Sequence, residues 1–288
     1  MALTTASAVL YGVTPLVASL IYGLGGDPVT LTFYRNLLVV PPLLVLMAAR
    51  KISFRITRKE LGLLLLMGVG FRVSTTLMLY QAYTLIPTGT ATTLHFLYPL
   101  FTALLCRVLF REKLGPRKRA ALVLAVGGVG AFLWGSGGGS LPGMLLSVCS
   151  GLTYACYMTG MDKTALRDMH PTKVACYMGL LNALAMLPVG LPTHQLHFAQ
   201  SAPALALTVL LALSTSFGAV ALLQSGIQRL GASSAAIFSM FEPITSVLAG
   251  LLLLHEPLHP ASLLGCALIL GGMSLIALPA RRKARQES

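Results

Sequence analysis

The sequence predicts an all-α integral membrane protein, with ten transmembrane helices arranged as two inverted five-helix repeats. Three observations carry that expectation. First, the chain is apolar throughout: of 288 residues, 56% are hydrophobic and 10% charged, with a mean hydropathy of +0.80. A soluble domain carries about a quarter charged residues. Second, the basic residues are confined to alternate connectors. Third, residues 91–133 return at 235–277, shifted by 144 positions without a gap. Pro99 falls on Pro243, Glu112 on Glu256, Leu114 on Leu258, Pro116 on Pro260 and Gly127–Gly128 on Gly271–Gly272. With Ala91, Leu104, Leu109 and Leu124, that makes ten identities in 43 positions.

A spanning helix needs about 20 apolar residues, because roughly 30 Å of hydrocarbon is crossed at ~1.5 Å per residue. Ten segments meet this length: α1 (4–23), α2 (29–49), α3 (60–82), α4 (88–109), α5 (117–135), α6 (141–161), α7 (171–191), α8 (204–227), α9 (232–254) and α10 (260–280). The Met-Ala-Leu-Thr-Thr start lacks the positive region of a signal peptide, so α1 reads as a retained helix. The connector after α2 holds Arg50, Lys51, Arg55, Arg58 and Lys59. The one after α4 holds Arg111, Lys113, Arg117, Lys118 and Arg119, with Arg107 one turn earlier. Lys163, Arg167 and Lys173 follow α6, Arg229 ends α8, and Arg281, Arg282, Lys283 and Arg285 follow α10. These are 19 of the 21 basic residues, all on one side, while the opposite connectors have none. By the positive-inside rule both termini are cytoplasmic.

Each half has an odd number of helices, so the halves enter the membrane in opposite directions. The charges agree. The first copy's connector, 111–119, is strongly basic; the second copy's, 255–260, has lost every Lys and Arg. The expected units are a first repeat at 1–135, an inverted second repeat at 141–280 and a basic cytoplasmic tail at 281–288, with Gly-rich 135–140 as a hinge. Inverted repeats of this kind mark secondary transporters, which rock one half against the other around a midplane site.

The pattern of Pro99, Glu112 and Gly127–Gly128, repeated as Pro243, Glu256 and Gly271–Gly272, resembles the EamA family of the drug/metabolite transporter superfamily. Pro28 followed by Arg35 is similar to that family's first-half pattern. The resemblance covers essentially the whole chain. It implies a basket of five plus five helices, a cavity lined mainly by α1–α4 and α6–α9, and α5 and α10 supporting from outside. Family members move amino acids, other metabolites and drugs, so the resemblance does not choose a substrate. It implies a prokaryotic cytoplasmic (inner) membrane.

Three formal charges sit at membrane depth: Arg35, Arg72 and Glu242. Each costs roughly 2.5–3.5 kcal/mol on insertion scales, which argues against facing lipid. Two roles fit Arg72 and Glu242. They neutralise each other across the halves, or Arg72 binds a substrate carboxylate or phosphate through its fork while Glu242 binds an amine or a proton. A pair that opens for substrate would do both. Arg35 fits a tie to backbone carbonyls as well as a ligand role. Pro243 and Pro99 remove a backbone donor and leave the carbonyls of Ser239 and His95 without their partners. A helix break flanked by polar residues points to a binding site, here with Tyr98 and Glu242 beside the prolines; a plain structural kink is the alternative.

His95, within α4, fits either a proton relay or a hydrogen-bonded structural role. Tyr80, Gln81 and Gln224 are further polar candidates, Tyr80 aligning with Gln224 at the same offset of 144. Tyr11, Tyr34, Tyr154 and Tyr157 either line the cavity or pack. Trp134 reads as an interface anchor. Gly127, Gly128, Gly271 and Gly272 give small faces for close helix packing.

The five cysteines, Cys106, Cys149, Cys156, Cys176 and Cys266, lie in apolar stretches without metal-ligand spacing, so no metal, disulfide or cofactor is expected. A net charge of +13 without interleaved aromatics points to anionic lipid, not nucleic acid. The expected partners are therefore a small-molecule substrate and membrane lipid, for a monomer or homodimer. The leading expectation is an alternating-access transporter for an amino acid or another carboxylate-bearing zwitterion or anion, because buried arginines outnumber buried acids. Glu242 or His95 is the proton-coupling candidate. Efflux of drug-like or cationic compounds is the alternative. An enzyme would need clustered nucleophiles, acids or metal ligands at membrane depth, and a channel would not need duplicated inverted halves.

Overall fold

The computed structural model describes residues 2–111, 115–135, 140–232 and 260–277, with 235, 239, 242 and 245 singly. Glu112, Pro243, Glu256, the hinge residues 136–139, the basic tail 281–288 and the side chain of Trp134 lie outside the described residues. All regular structure among the described residues is helical, and seven helices are long and apolar enough to cross a membrane. These are α1 to α4 and α6 to α8 of the predicted series. α5 (Pro116–Gly135) and α10 (Pro260–Ala277) are also helical, whereas predicted α9 falls largely outside the described residues.

Helix starts follow local chemistry. Asp27 caps α2 by accepting from the Val29 and Thr30 amides, both at 2.9 Å, with Pro28 in the first turn. Thr57 and Glu60 form a reciprocal capping box at the start of α3. Ser140 and Ser201 cap α6 and α8.

Several spans are irregular within the membrane. α1 breaks at Val13, between Ala2–Gly12 and Thr14–Gly23. α2 breaks between Leu37 and Val40, and α4 between His95 and Tyr98. α3 is π-helical at Leu65–Val73, and α8 at Ala212–Ala219. Such turns widen the helix and re-aim the side chains they carry. In contrast, α6 runs unbroken from Leu141 to Lys163.

The packing alternates between halves. α1 lies on α8, α6 lies on α3 and α4, α2 lies on α7, and α5 pairs chiefly with α10. Small residues set these approaches. A Cβ on Gly151 of α6 would sit 2.6 Å from the His95 carbonyl oxygen, the acceptor that Pro99 deprives of its usual donor. A Cβ on Gly272 would lie 2.9 Å from the Ala121 carbonyl, so α10 meets α5 there. Gly127 and Gly271 face open space instead, while Gly128 is buried. Neighbouring helix positions point about 100° apart, so the two glycines of each pair turn to different sides.

The polarity is that of a protein in lipid. Val45, Val108 and Val123 are 69%, 69% and 70% exposed, while Thr4, Thr30, Thr32, Thr92, Ser147 and Ser150 are buried. Apart from Thr4 Oγ1, which has no partner among the described residues, their hydroxyls bond backbone or other side chains, as from Thr32 Oγ1 to the Pro28 carbonyl at 2.7 Å and from Ser147 Oγ to the Gly143 carbonyl at 3.0 Å.

Gly151→Ala should lower the thermal midpoint of the purified protein more than Gly160→Ala. A Cβ at 151 meets backbone, which cannot yield, whereas one at 160 meets the flexible Met67 side chain. Overpacking costs typically about 1–3 kcal/mol. Equal midpoints for the two variants, measured by fluorescence-detected chromatography after heating, would contradict this packing.

Candidate functional site

The π-helical turn of α3 presents Arg72 to the centre of the bundle. Its Nη2 donates to the Tyr11 hydroxyl at 2.9 Å. Its guanidinium carbon lies 5.5, 5.0 and 5.4 Å from the ring centres of Tyr11, Tyr154 and Tyr157. Aromatic faces from α1 and α6 thus surround the cation. A desolvated contact of this kind is worth up to about 2 kcal/mol. Among the described residues no ion pair joins Arg72 to an acid. The buried Asp162, expected on a connector, instead closes α6, with Lys163 at 3.2 Å and Arg167 at 3.7 Å.

Arg72 faces a chamber of about 40 Å³, which Tyr11, Thr14, Thr75, Thr76, Tyr80, Tyr83, His95, Tyr154 and Glu242 also line. A second compartment of about 20 Å³ shares Arg35, Arg72 and Thr76 and adds Asn36, Asn182 and Ser216. Together they have room for a few waters. α2 and α7, whose side chains close the second compartment, are tied at both ends. At one end the Thr30 hydroxyl donates to the Gln195 carbonyl and accepts from the His197 amide, both at 3.0 Å. At the other, Lys173 donates to the Arg55 carbonyl and Tyr177 to the Phe54 carbonyl.

Arg35 also borders the chamber but is held differently. It is 6% exposed, and its Nε donates to Ser216 Oγ at 3.2 Å, its Nη2 to Thr215 Oγ1 at 3.1 Å and its Nη1 to the Tyr80 hydroxyl. The tie is therefore to hydroxyls rather than to backbone carbonyls. Helix carbonyls are consumed within their own ladder, while the π-helical turn of α8 aims Thr215 and Ser216 inward. Thr215 gives its own hydrogen to the Leu211 carbonyl at 2.6 Å, leaving its lone pairs for the arginine.

Glu242 is half-buried and lines the chamber with Arg72. Its amide donates to the Ser239 carbonyl at 3.0 Å, so the acceptor expected to be left free by Pro243 is satisfied one residue earlier. α1 approaches closely here, since a Cβ on Gly12 would lie 2.9 Å from the Glu242 carbonyl oxygen. His95 lines the chamber too. Its Nδ1 lies 2.8 Å from Ser150 Oγ, and Ser150 gives its one hydrogen to the Ser147 carbonyl at 2.6 Å. That arrangement assigns the imidazole proton to Nδ1 and leaves Nε2 an acceptor.

The remaining candidates divide. Tyr80 clamps Arg35. Tyr98 is fully buried and packs edge-on against Tyr154, with ring centres 4.7 Å apart, behind the chamber wall. Gln81 is exposed and bonds Thr84 at 3.2 Å, because the position after Tyr80 points about 100° away. Gln224 is 1% exposed, outside the chamber lining, and both polar atoms of its amide lack partners among the described residues. Tyr34 donates to the Phe198 carbonyl at 3.0 Å, away from the chamber. Thr75, Thr76, Asn36, Asn182, Thr215 and Ser216 belong to the site without having been singled out by sequence. Their signal was polarity inside apolar segments, and Ser216 lies 144 positions after Arg72.

Comparison with known proteins adds the family. The model of the EamA-like transporter family matches residues 1–134 and again 141–278. An uncharacterized transporter of Synechocystis sp. is 34% identical over 221 residues, which are 73% of this chain and 65% of that protein. An uncharacterized transporter of Bacillus subtilis is 25% identical over 148 residues, 51% of this chain and 49% of that protein. An uncharacterized protein of Pseudomonas aeruginosa is 30% identical over 225 residues, 76% of each. The chain thus covers less than two thirds of the length of the first two relatives. A solved crystal structure aligns over 97% of this chain and 98% of its own, with a TM-score of 0.75 at 19% identity, a likeness of fold.

Replacing Thr215 by Val and Ser216 by Ala together should destabilise the protein by about 3 kcal/mol, since hydrogen bonds to a charged group contribute about 1.5–3 kcal/mol each. Ser214→Ala, whose hydroxyl turns outward onto the Leu210 carbonyl, should leave the thermal midpoint unchanged. An unshifted midpoint in the double variant would mean the clamp does not hold Arg35.

Proposed function

The chain belongs to the EamA-like transporter family, and on that premise we propose that it is a secondary active transporter which exposes the Arg72 chamber alternately to the two sides of its membrane. Its relatives named as transporters, like the family itself, point to a multi-pass membrane transporter rather than an enzyme. Ten helices in two inverted repeats, 1–135 and 141–280, with the tail 281–288 and both termini in the cytoplasm, complete the proposed architecture in a prokaryotic cytoplasmic membrane. Three findings support it. The family model matches each half separately. The packing is reciprocal: α1 lies on α8 as α6 lies on α3. The π-helical turn of α3, shifted by 144, overlaps that of α8. Neither compartment admits more than a few waters, so helices must separate for cargo to enter.

One observation carries the substrate reading. Among the described residues Arg72 is held by tyrosine faces and not by a carboxylate, so its charge awaits an anion. A carboxylate accepts from a guanidinium fork through two parallel hydrogen bonds. With Glu242 on the same chamber, a cargo bearing both a carboxylate and an amine can meet both charges. The proposed class is therefore an amino acid or a related carboxylate metabolite, with Glu242 exchanging a proton as cargo moves. Glu242, the one carboxyl lining the chamber among the described residues, favours the second reading, efflux of a cationic compound.

A thermal-shift screen of the purified protein against amino acids, organic acids, nucleosides and cationic drugs should show stabilisation by carboxylate compounds, lost in Arg72→Gln. Loss of a charge-assisted pair should weaken binding about 10- to 100-fold. Stabilisation by cations alone would sink the arginine argument. In proteoliposomes, Glu242→Gln should abolish the dependence of uptake on a proton gradient. Unchanged gradient-driven uptake would remove Glu242 from coupling.

A further inference from the structure

A cavity larger than the chamber lies apart from it. It is a groove of about 640 Å³ between the end of α2, the start of α7 and α8. Leu46, Phe217 and Leu222 form its apolar wall, and Arg50 and Arg229 stand at its polar end. Both arginines are exposed, and among the described residues neither has an acidic partner. Several of the other polar groups are engaged. His170 Nδ1 accepts from the Thr172 amide at 3.2 Å, and Gln228 Nε2 donates to the Arg167 and Met169 carbonyls, each at 2.7 Å.

The groove thus offers two uncompensated cations above an apolar wall, on a surface that continues into the exposed apolar residues Leu44 and Val45. Its ligand must be anionic at one end and apolar along the other. A fully water-soluble anion leaves the wall unfilled, and a neutral lipid leaves the arginines unpaired. We propose that this groove seats an anionic phospholipid, its phosphate between Arg50 and Arg229 and an acyl chain along Leu46, Phe217 and Leu222. Guanidinium forks suit phosphate oxygens, and basic recesses between membrane helices beside the headgroup layer suit anionic lipid. Phe217 directly follows Thr215 and Ser216, so the lipid would touch the same π-helical turn that clamps Arg35.

The test is native mass spectrometry of the full chain, purified with equal amounts of phosphatidylglycerol and phosphatidylcholine. The expected result is retention of phosphatidylglycerol over phosphatidylcholine by about thirtyfold, the factor that two cations near a membrane surface contribute. Arg50→Gln with Arg229→Gln should reduce that preference to less than about twofold. Leu222→Glu, which charges the wall, should expel the lipid with both arginines present. Arg281→Gln with Arg282→Gln removes equal charge elsewhere and should leave the preference intact. The proposal is overturned if the groove variants retain phosphatidylglycerol as the parent does. It is also overturned if the tail variant loses the lipid equally, or if inorganic phosphate alone raises the thermal midpoint as much as phosphatidylglycerol.

Discussion

The structure depends on how it keeps two arginines within its apolar spans without giving either a carboxylate among the described residues. A guanidinium cannot shed its charge, so its surroundings must supply compensation or the helix carrying it would not stay in the bilayer. Arg35 is compensated by three hydroxyls and is consumed by them. Arg72 is compensated by the faces of three tyrosines and one hydroxyl, which stabilise the charge while leaving the fork open to the chamber. On the proposed function, the difference between a saturated and an unsaturated arginine separates scaffold from receptor.

The backbone is shaped to deliver those groups. The break in α1 lies between Tyr11 and Thr14, the π-helical turn of α3 carries Arg72, and the break in α4 follows His95. The π-helical turn of α8 carries Thr215 and Ser216. Irregular backbone is tolerated at this depth only where it is buried in protein or lines a cavity. The glycines serve the same end, since Gly12 and Gly151 let α1 and α6 press against backbone beside the chamber. The unbroken α6 then provides a straight support that holds Tyr154 and Tyr157 one turn apart.

Much of this was legible in the sequence, for identifiable reasons. The spans that lie among the described residues were readable to within two or three residues because capping residues and positive charges bound apolar runs of membrane length, as at Asp27, Thr57 and Ser201. Arg35, Arg72, Glu242 and His95 stood out because polarity inside an apolar helix is costly. What could not be read was azimuth and partnership. Tyr80 and Gln81 are equally polar and adjacent, yet one clamps Arg35 and the other faces away. Whether Arg72 pairs with Glu242 or with tyrosines depends on how α1, α3 and α6 rotate against one another, a tertiary fact. The π-helical turns have no proline at their centres to announce them, whereas Pro15, two residues after Val13, marks the break in α1.

Alternating access requires that the Arg72 chamber open in turn to both sides. Thr76 borders both compartments and lies one turn from Arg72. In a background with the five cysteines replaced, Thr76→Cys can be probed with a membrane-impermeant methanethiosulfonate in right-side-out and in inverted vesicles. Alternating access gives modification from either side. Modification from one side only, or from neither, would contradict it.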